Sequence, residues 1–167
     1  MEVGTSSVLL LPYTASSVGV ARRRLMSDLA AAGVLEATAC DAGLVLSELI
    51  SNALRHASPL ADATVRVAWR LDGDCLEIAV SDGGGPTVPA VNEPGQGAIG
   101  GRGLGIVDRL ALRWGVETAG ESGAAERDDA AGEGGRETTV WARLALYFDP
   151  DRRATGGGLV IASSRDA

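Results

Sequence analysis

The chain contains no lysine: all 15 of its basic residues are arginine. That absence excludes the P-loop nucleotide site and the ordinary protein-kinase site, both of which hold phosphate with a lysine, and it excludes Schiff-base catalysis. Cysteine is nearly as scarce. Cys40 and Cys75 are too few and too far apart for a disulfide framework or a zinc site. His56 is the one histidine, so a Ser-His-Asp arrangement would have to use it and is set aside. Aromatic residues make up 4% of the chain against 46% hydrophobic, so the core must be aliphatic. Net charge is −7, which leaves no broad basic surface to release counterions and argues against a nucleic-acid partner. No apolar run approaches the roughly 18 residues of a membrane span, and the N-terminus carries no basic and apolar signal stretch. The expectation is a soluble, cytoplasmic protein with no membrane partner and, at 167 residues, one domain with a sizeable core.

An acidic, lysine-free protein can still hold a phosphate ligand, but only through backbone amides, a few arginines or a metal. Residues 44–57 supply such groups. Wound at about 100° per residue, the segment gathers Leu46, Leu49, Ile50, Ala53 and Ala57 on one side. Glu48, Asn52 and Arg55 fall at i, i+4 and i+7 on the other. A carboxylate can accept a proton, an amide oxygen can join a magnesium shell and a guanidinium can hold a phosphate. A solvated helix face is the plain alternative for this stripe taken alone.

Along the chain, residues 7–13 read as an edge strand closed by Pro12. A helix capped by Ser16 or Ser17 runs to about Ala32 and stops at Gly33. Its Arg22, Arg23 and Arg24 point in three directions, so they form a solvated face rather than one phosphate clamp. The central helix begins between Ala37 and Asp41 and ends around Ala57. Strands follow at 64–70 and 76–80, joined by a hairpin turn at Asp72-Gly73. Residues 83–103 are rich in Gly and Pro and read as a lid or binding loop. Helical pattern resumes from Leu104 to Ala111, then a strand at 113–118. Residues 119–137 form a low-complexity loop, and 138–146 alternate as a last strand. The expected domain spans 7–148, with a flexible tail over 149–167.

Three pieces thus line up: Glu48, Asn52 and Arg55 on a helix, Asp82 followed by Gly84 at a strand end, and a glycine-rich loop ending in Gly101-Arg102-Gly103-Leu104-Gly105 at a helix start. Asp82 can accept a hydrogen bond from the exocyclic amine of adenine, with Gly84 leaving room for the base. Glycines at a helix start expose N–H groups where phosphates settle. A dinucleotide fold fails, because its third glycine would fall at Ile106 and a loop precedes the motif.

The chain resembles, over about residues 7–146, the GHKL (Bergerat) ATP-binding fold shared by histidine kinases, gyrase and MutL. More narrowly it is similar to the bacterial anti-sigma-factor serine/threonine kinases of that group. The matching stretches are Ser-Glu-Leu-Ile-Ser-Asn-Ala-Leu-Arg-His at 47–56, Val-Ser-Asp-Gly-Gly-Gly at 80–85, Gly-Arg-Gly-Leu-Gly-Ile-Val at 101–107 and Thr-Val-Trp-Ala at 139–142. The resemblance implies a two-layer α/β sandwich, a mixed and mostly antiparallel sheet with helices on one face. It implies ATP and Mg2+ as cofactors and Glu48 as general base. Asn52 becomes the magnesium ligand and Asp82 the adenine contact. Arg55, Gly84, Gly101, Arg102, Gly103, Leu104, Gly105 and Thr139 complete the nucleotide site. One departure stands out: the family's Gly-Lys before the last strand is Glu137-Thr138 here.

The function implied is an ATP-binding anti-sigma factor and serine/threonine kinase that phosphorylates an anti-anti-sigma (STAS-domain) protein, with a sigma factor as a possible second partner and a homodimer as the expected assembly. The alternative is an ATP-dependent protein-binding regulatory module without transfer activity. A detached ATPase domain of a sensor histidine kinase is third, since no dimerisation helix with a phosphoacceptor histidine precedes the domain.

Overall fold

Alternation builds the sheet. In β2 (Thr64–Asp72) Val65, Val67, Trp69 and Leu71 are buried while their neighbours are not. In β3 (Cys75–Asp82) the buried set is Leu76, Ile78 and Val80, and in β5 (Thr138–Ala145) it is Val140, Ala142 and Leu144. These sets lie on one face because strand side chains alternate. The computed structural model describes residues 5–86, 102–119 and 136–153. Among them β1 (Ser6–Pro12) and β4 (Arg113–Thr118) complete a five-stranded sheet in the order β1-β2-β3-β5-β4, with every pairing antiparallel. The α/β two-layer architecture expected from the sequence is the one observed.

The β2–β3 turn is Gly73-Asp74. Gly73 sits at φ 57° and Asp74 has no positive φ, the pattern of a type II′ hairpin with glycine first. Helices α1 (Ser16–Ala31) and α2 (Glu36–His56) pack on the buried face. From α2, Val45, Leu46, Leu49, Ile50 and Ala53 enter the core, and from α1, Ala21, Leu25 and Leu29. Gly33 ends α1 in a Schellman motif: its φ is 78°, its N–H donates to Ala30 O, and Val34 N–H donates to Leu29 O. The expected cap at the other end is corrected. No side chain caps α1; Ser17 Oγ instead donates to Pro12 O at 2.6 Å, turning the chain from β1 into the helix. Asp28 then ties α1 to the sheet, accepting from Ser7 Oγ, Trp69 Nε1 and Arg24 Nε.

Helix α3 (Arg102–Leu110) lies against α2, with Leu104 and Val107 buried. The chain does not come loose at Asp149 as expected. Asp149 N–H donates to Gly33 O, α4 (Pro150–Arg153) follows, and Arg152 Nη1 donates to Ala30 O, so the segment caps the carboxyl end of α1. The stretches expected as lid and low-complexity loop fall largely on 87–101 and 120–135, and the rest of the tail on 154–167, outside the described residues.

Candidate functional site

The helix layer and the sheet meet at one end of β3. There the alternation carries Asp82 onto the buried face, in register with Thr138 of β5. Asp82 is 3% exposed, an unusual position for a carboxylate without an ion pair. One of its oxygens accepts Gly84 N–H at 2.8 Å; the other has no partner among the described residues. Burial pushes its pKa above the usual carboxylate range. The Gly84 N–H pulls it back, and the negative charge of Glu137 pushes it up further.

The glycine triplet after Asp82 is clasped to the end of α2. Ser58 N–H donates to Gly84 O and Gly83 N–H donates to Ser58 O, both at 2.8 Å. A Cβ on Gly83 would run into the Pro59 carbonyl, on Gly84 into the Arg136 carbonyl and on Gly85 into the His56 carbonyl. Gly84 also sits at φ 78°. The sequence reading assigned Gly84 to a bound base; the fold by itself already requires glycine there. Its missing side chain admits the backbone entering β5, and all three glycines let backbone pass backbone. Tyr13, which no motif marks, locks the same helix end. Its hydroxyl lies 2.5 Å from Ala53 O and 2.6 Å from Ala57 O and donates to this carbonyl pair. Burial and the nearby Asp82 charge raise its pKa.

Of the helical stripe, Glu48 and Asn52 are half-buried on the flank of α2 and Arg55 is exposed. Helix α3 starts over Glu48. A Cβ on Gly103 would stand 2.5 Å from Glu48 Oε2, so the helix backbone rests on the carboxylate only because residue 103 has no side chain. Leu104 is a core residue, 4% exposed, so it can offer a ligand its backbone but not its side chain. Among the described residues, no atom lies within 4 Å of where a Gly105 Cβ would be. Gly101 and the Arg102 side chain are outside the described residues.

Thr139 does not join this group. It lies on the opposite face of the sheet, its hydroxyl 2.7 Å from Ser81 Oγ. Thr138 takes the position beside Asp82, its Oγ1 3.4 Å from where a Gly84 Cβ would be. Glu137, standing where the resemblance calls for a glycine just before the lysine position taken by Thr138, is ion-paired to Arg66, which also donates to Ser81 Oγ at 3.3 Å.

A carboxylate, an amide, a buried Asp beside a clasped glycine turn and the start of a helix thus converge between α2, β3 and α3. The model of the histidine kinase-like ATPase domain matches residues 11–162. The chain belongs to that family. Within histidine kinase-like ATPases, the fold is also that of a solved structure, the RsbU and RsbW domains of Rv1364c from Mycobacterium tuberculosis. It is 21% identical, with a TM-score of 0.58 over 85% of this chain. This chain spans 32% of that one. No curated protein sequence matches. Asn52 offers a single amide oxygen, which suits a magnesium ion that arrives with phosphates. Among the described residues no three His, Cys, Asp or Glu side chains gather to hold a metal unaided. No helix among them is long and apolar enough to cross a membrane.

Proposed function

We propose that this histidine kinase-like ATPase domain binds Mg-ATP between α2, the 82–85 turn and α3, and transfers the terminal phosphate to a Ser or Thr hydroxyl of a small STAS-domain anti-anti-sigma protein. In the same pathway it acts as an anti-sigma factor. The observation that carries the reading is the placement of Glu48: half-buried, one helical turn from Asn52, with the start of α3 resting on it. The RsbW domain in the structural match lends support for this pathway.

Asp82 receives the adenine amine on its unbonded carboxylate oxygen, while Gly84 N–H fixes the other. The first N–H groups of α3 hold the phosphates, doing without lysine what a helix end does for any anion. Asn52 would hold a magnesium ion through its amide oxygen, and the ion would supply positive charge to the phosphates. Glu48 takes the hydroxyl proton as the partner's oxygen bonds to the terminal phosphorus and the bond to the bridging oxygen breaks, releasing ADP.

Replacing Glu48 tests this. Glu48→Gln keeps the size and removes the base, so ATP binding survives while transfer to a STAS-domain protein falls by about 10²–10⁴. Transfer at the wild-type rate would refute the base assignment. The module reading, ATP-dependent binding without transfer, draws on Thr138 standing where a phosphate-binding lysine is expected, with the carboxylate of Glu137 next to it paired to Arg66. It prevails if wild type and Glu48→Gln both bind the partner with ATP and neither modifies it.

A further inference from the structure

The face of the sheet turned away from the helices carries a notch that the nucleotide reading does not use. It is lined by Glu77, Ala79, Arg113, Glu117, Trp141 and Arg143, with Thr139 at its far end. Three features make it a built place. Arg113 of β4 stands directly opposite Arg143 of β5, and like charges in register across two strands are destabilising. On its other side Arg143 stands opposite Glu77 of β3, whose carboxylate pairs with its Nε at 4.0 Å, and that nitrogen is buried with no hydrogen-bond partner among the described residues. Beside the arginines, the Trp141 indole lies across Gly115, where a Cβ would stand 2.9 Å from its ring. The indole N–H makes no hydrogen bond among the described residues.

We propose that this notch docks an acidic segment of a protein partner, with a Glu or Asp carboxylate between Arg113 and Arg143 and an adjoining apolar side chain on Trp141 and Ala79. Two neighbouring guanidinium groups, of which only Arg143 has a paired carboxylate among the described residues, call for an anion. The apolar floor calls for more than a free ion, since phosphate makes no use of an indole and a methyl group. Glu117 lies four residues along β4 from Arg113, about 13 Å. It repels a second carboxylate at that end, so the segment lies in one orientation. A second copy of this chain is the poorer occupant, because a two-fold contact through this notch brings a second Arg113–Arg143 pair towards the first.

The probe is a blocked peptide, acetyl-Glu-Ala-Leu-Ala-Leu-amide, whose one carboxylate and two leucines share a face when extended, followed by tryptophan fluorescence of the full chain. Trp69 is buried and Trp114 is bonded to Asp108, so the response belongs to Trp141 and disappears in Trp141→Phe. The peptide gives a saturable change, its Gln counterpart binds at least tenfold more weakly, and Arg113→Gln/Arg143→Gln weakens the Glu peptide at least tenfold. The same double variant melts about 1–3 °C higher, since a repulsive pair is gone. Peptide affinity unchanged in the variant, an equal response to the Gln peptide or a melting point that does not rise overturns the proposal. So does saturation by inorganic phosphate alone with the same arginine dependence, which makes the notch a free-anion site. A dimer in sedimentation that Arg113→Gln splits makes it an interface between copies and overturns it as well.

Discussion

Replacing Asp82 by Asn separates what this residue does for the ligand from what it does to the fold. The substitution keeps the shape, and its orientation is fixed in advance. Gly84 N–H must have an acceptor, so the Asn oxygen stays where Asp82 Oδ1 now accepts at 2.8 Å. The amide NH₂ is thereby aimed at the adenine amine, donor against donor. Losing one hydrogen bond to a charged group costs about 1.5–3 kcal/mol, or about 10- to 150-fold in ATP affinity. ITP, whose ring carries an oxygen in place of the amine, gains a donor and binds the variant better than it binds the parent. Stability moves the other way. The pKa of Asp82 is raised in the folded state, so the native protein holds this proton more tightly than the unfolded chain does. That contribution is complete below the unfolded carboxylate pKa and is lost as pH rises through the folded value. At neutral pH the parent therefore carries a buried charge at a cost that the variant lacks. The Asn variant melts at or above the parent at pH 7, and the difference shrinks as pH falls below the carboxylate range. Calorimetry with ATP and ITP, and melting curves across pH, check both halves. Unchanged ATP affinity, or a variant clearly less stable at neutral pH, would refute the reasoning.

Four further substitutions test the frame around the site. Gly84→Ala forces a side chain at φ 78° against the Arg136 carbonyl and destabilises by about 2 kcal/mol or more, whereas Gly105→Ala, with no described atom within 4 Å of the added Cβ, stabilises α3 by about 0.5–1 kcal/mol; chemical denaturation of the pair reads the contrast. Tyr13→Phe removes the donor shared by Ala53 O and Ala57 O and lowers stability by about 0.5–1.5 kcal/mol. Because the Tyr13 pKa is raised, the parent also loses stability as pH climbs through that value above about 10, a loss the Phe variant does not share on alkaline melting. Gly103→Ala meets only the flexible end of Glu48, so it leaves the melting point nearly unchanged while displacing the carboxylate and cutting phosphoryl transfer at least tenfold in a STAS-protein assay.

The sheet and the central helix were legible because burial has a period. Leu46, Leu49, Ile50 and Ala53 mark the buried side of α2, and Val140, Ala142 and Leu144 mark that of β5. The error at Thr139 came from weighting a four-residue match over that same period. Counting back by twos from Val140 reaches Thr138, and a one-residue slip puts a strand residue on the wrong face. Leu104 was open to the same correction, since it and Val107 stand i and i+3 on one side of α3. The clasp at the 82–85 turn was not legible. His56, Pro59 and Arg136 supply the carbonyls that require three glycines, and no local pattern joins those positions. Tyr13 was hidden for the same reason: its partners lie 40 and 44 residues away.

Where this chain departs from ordinary packing preferences, the departures concentrate on groups that a ligand would relieve. A carboxylate is buried without a counter-ion at Asp82, a helix backbone is laid on a carboxylate at Gly103, and two arginines are set opposite each other at Arg113 and Arg143. The first and third are unfavourable in the isolated chain, by desolvation and by like-charge repulsion, while the second restricts residue 103 to glycine. An aliphatic core with the alternation of β2, β3 and β5 tolerates such local losses because it draws its stability elsewhere. The first two fall on the helix side of the sheet and the third on the far side. The two faces are therefore separable by mutation: Asp82→Asn acts on nucleotide without moving the Trp141 response, and Arg113→Gln does the reverse.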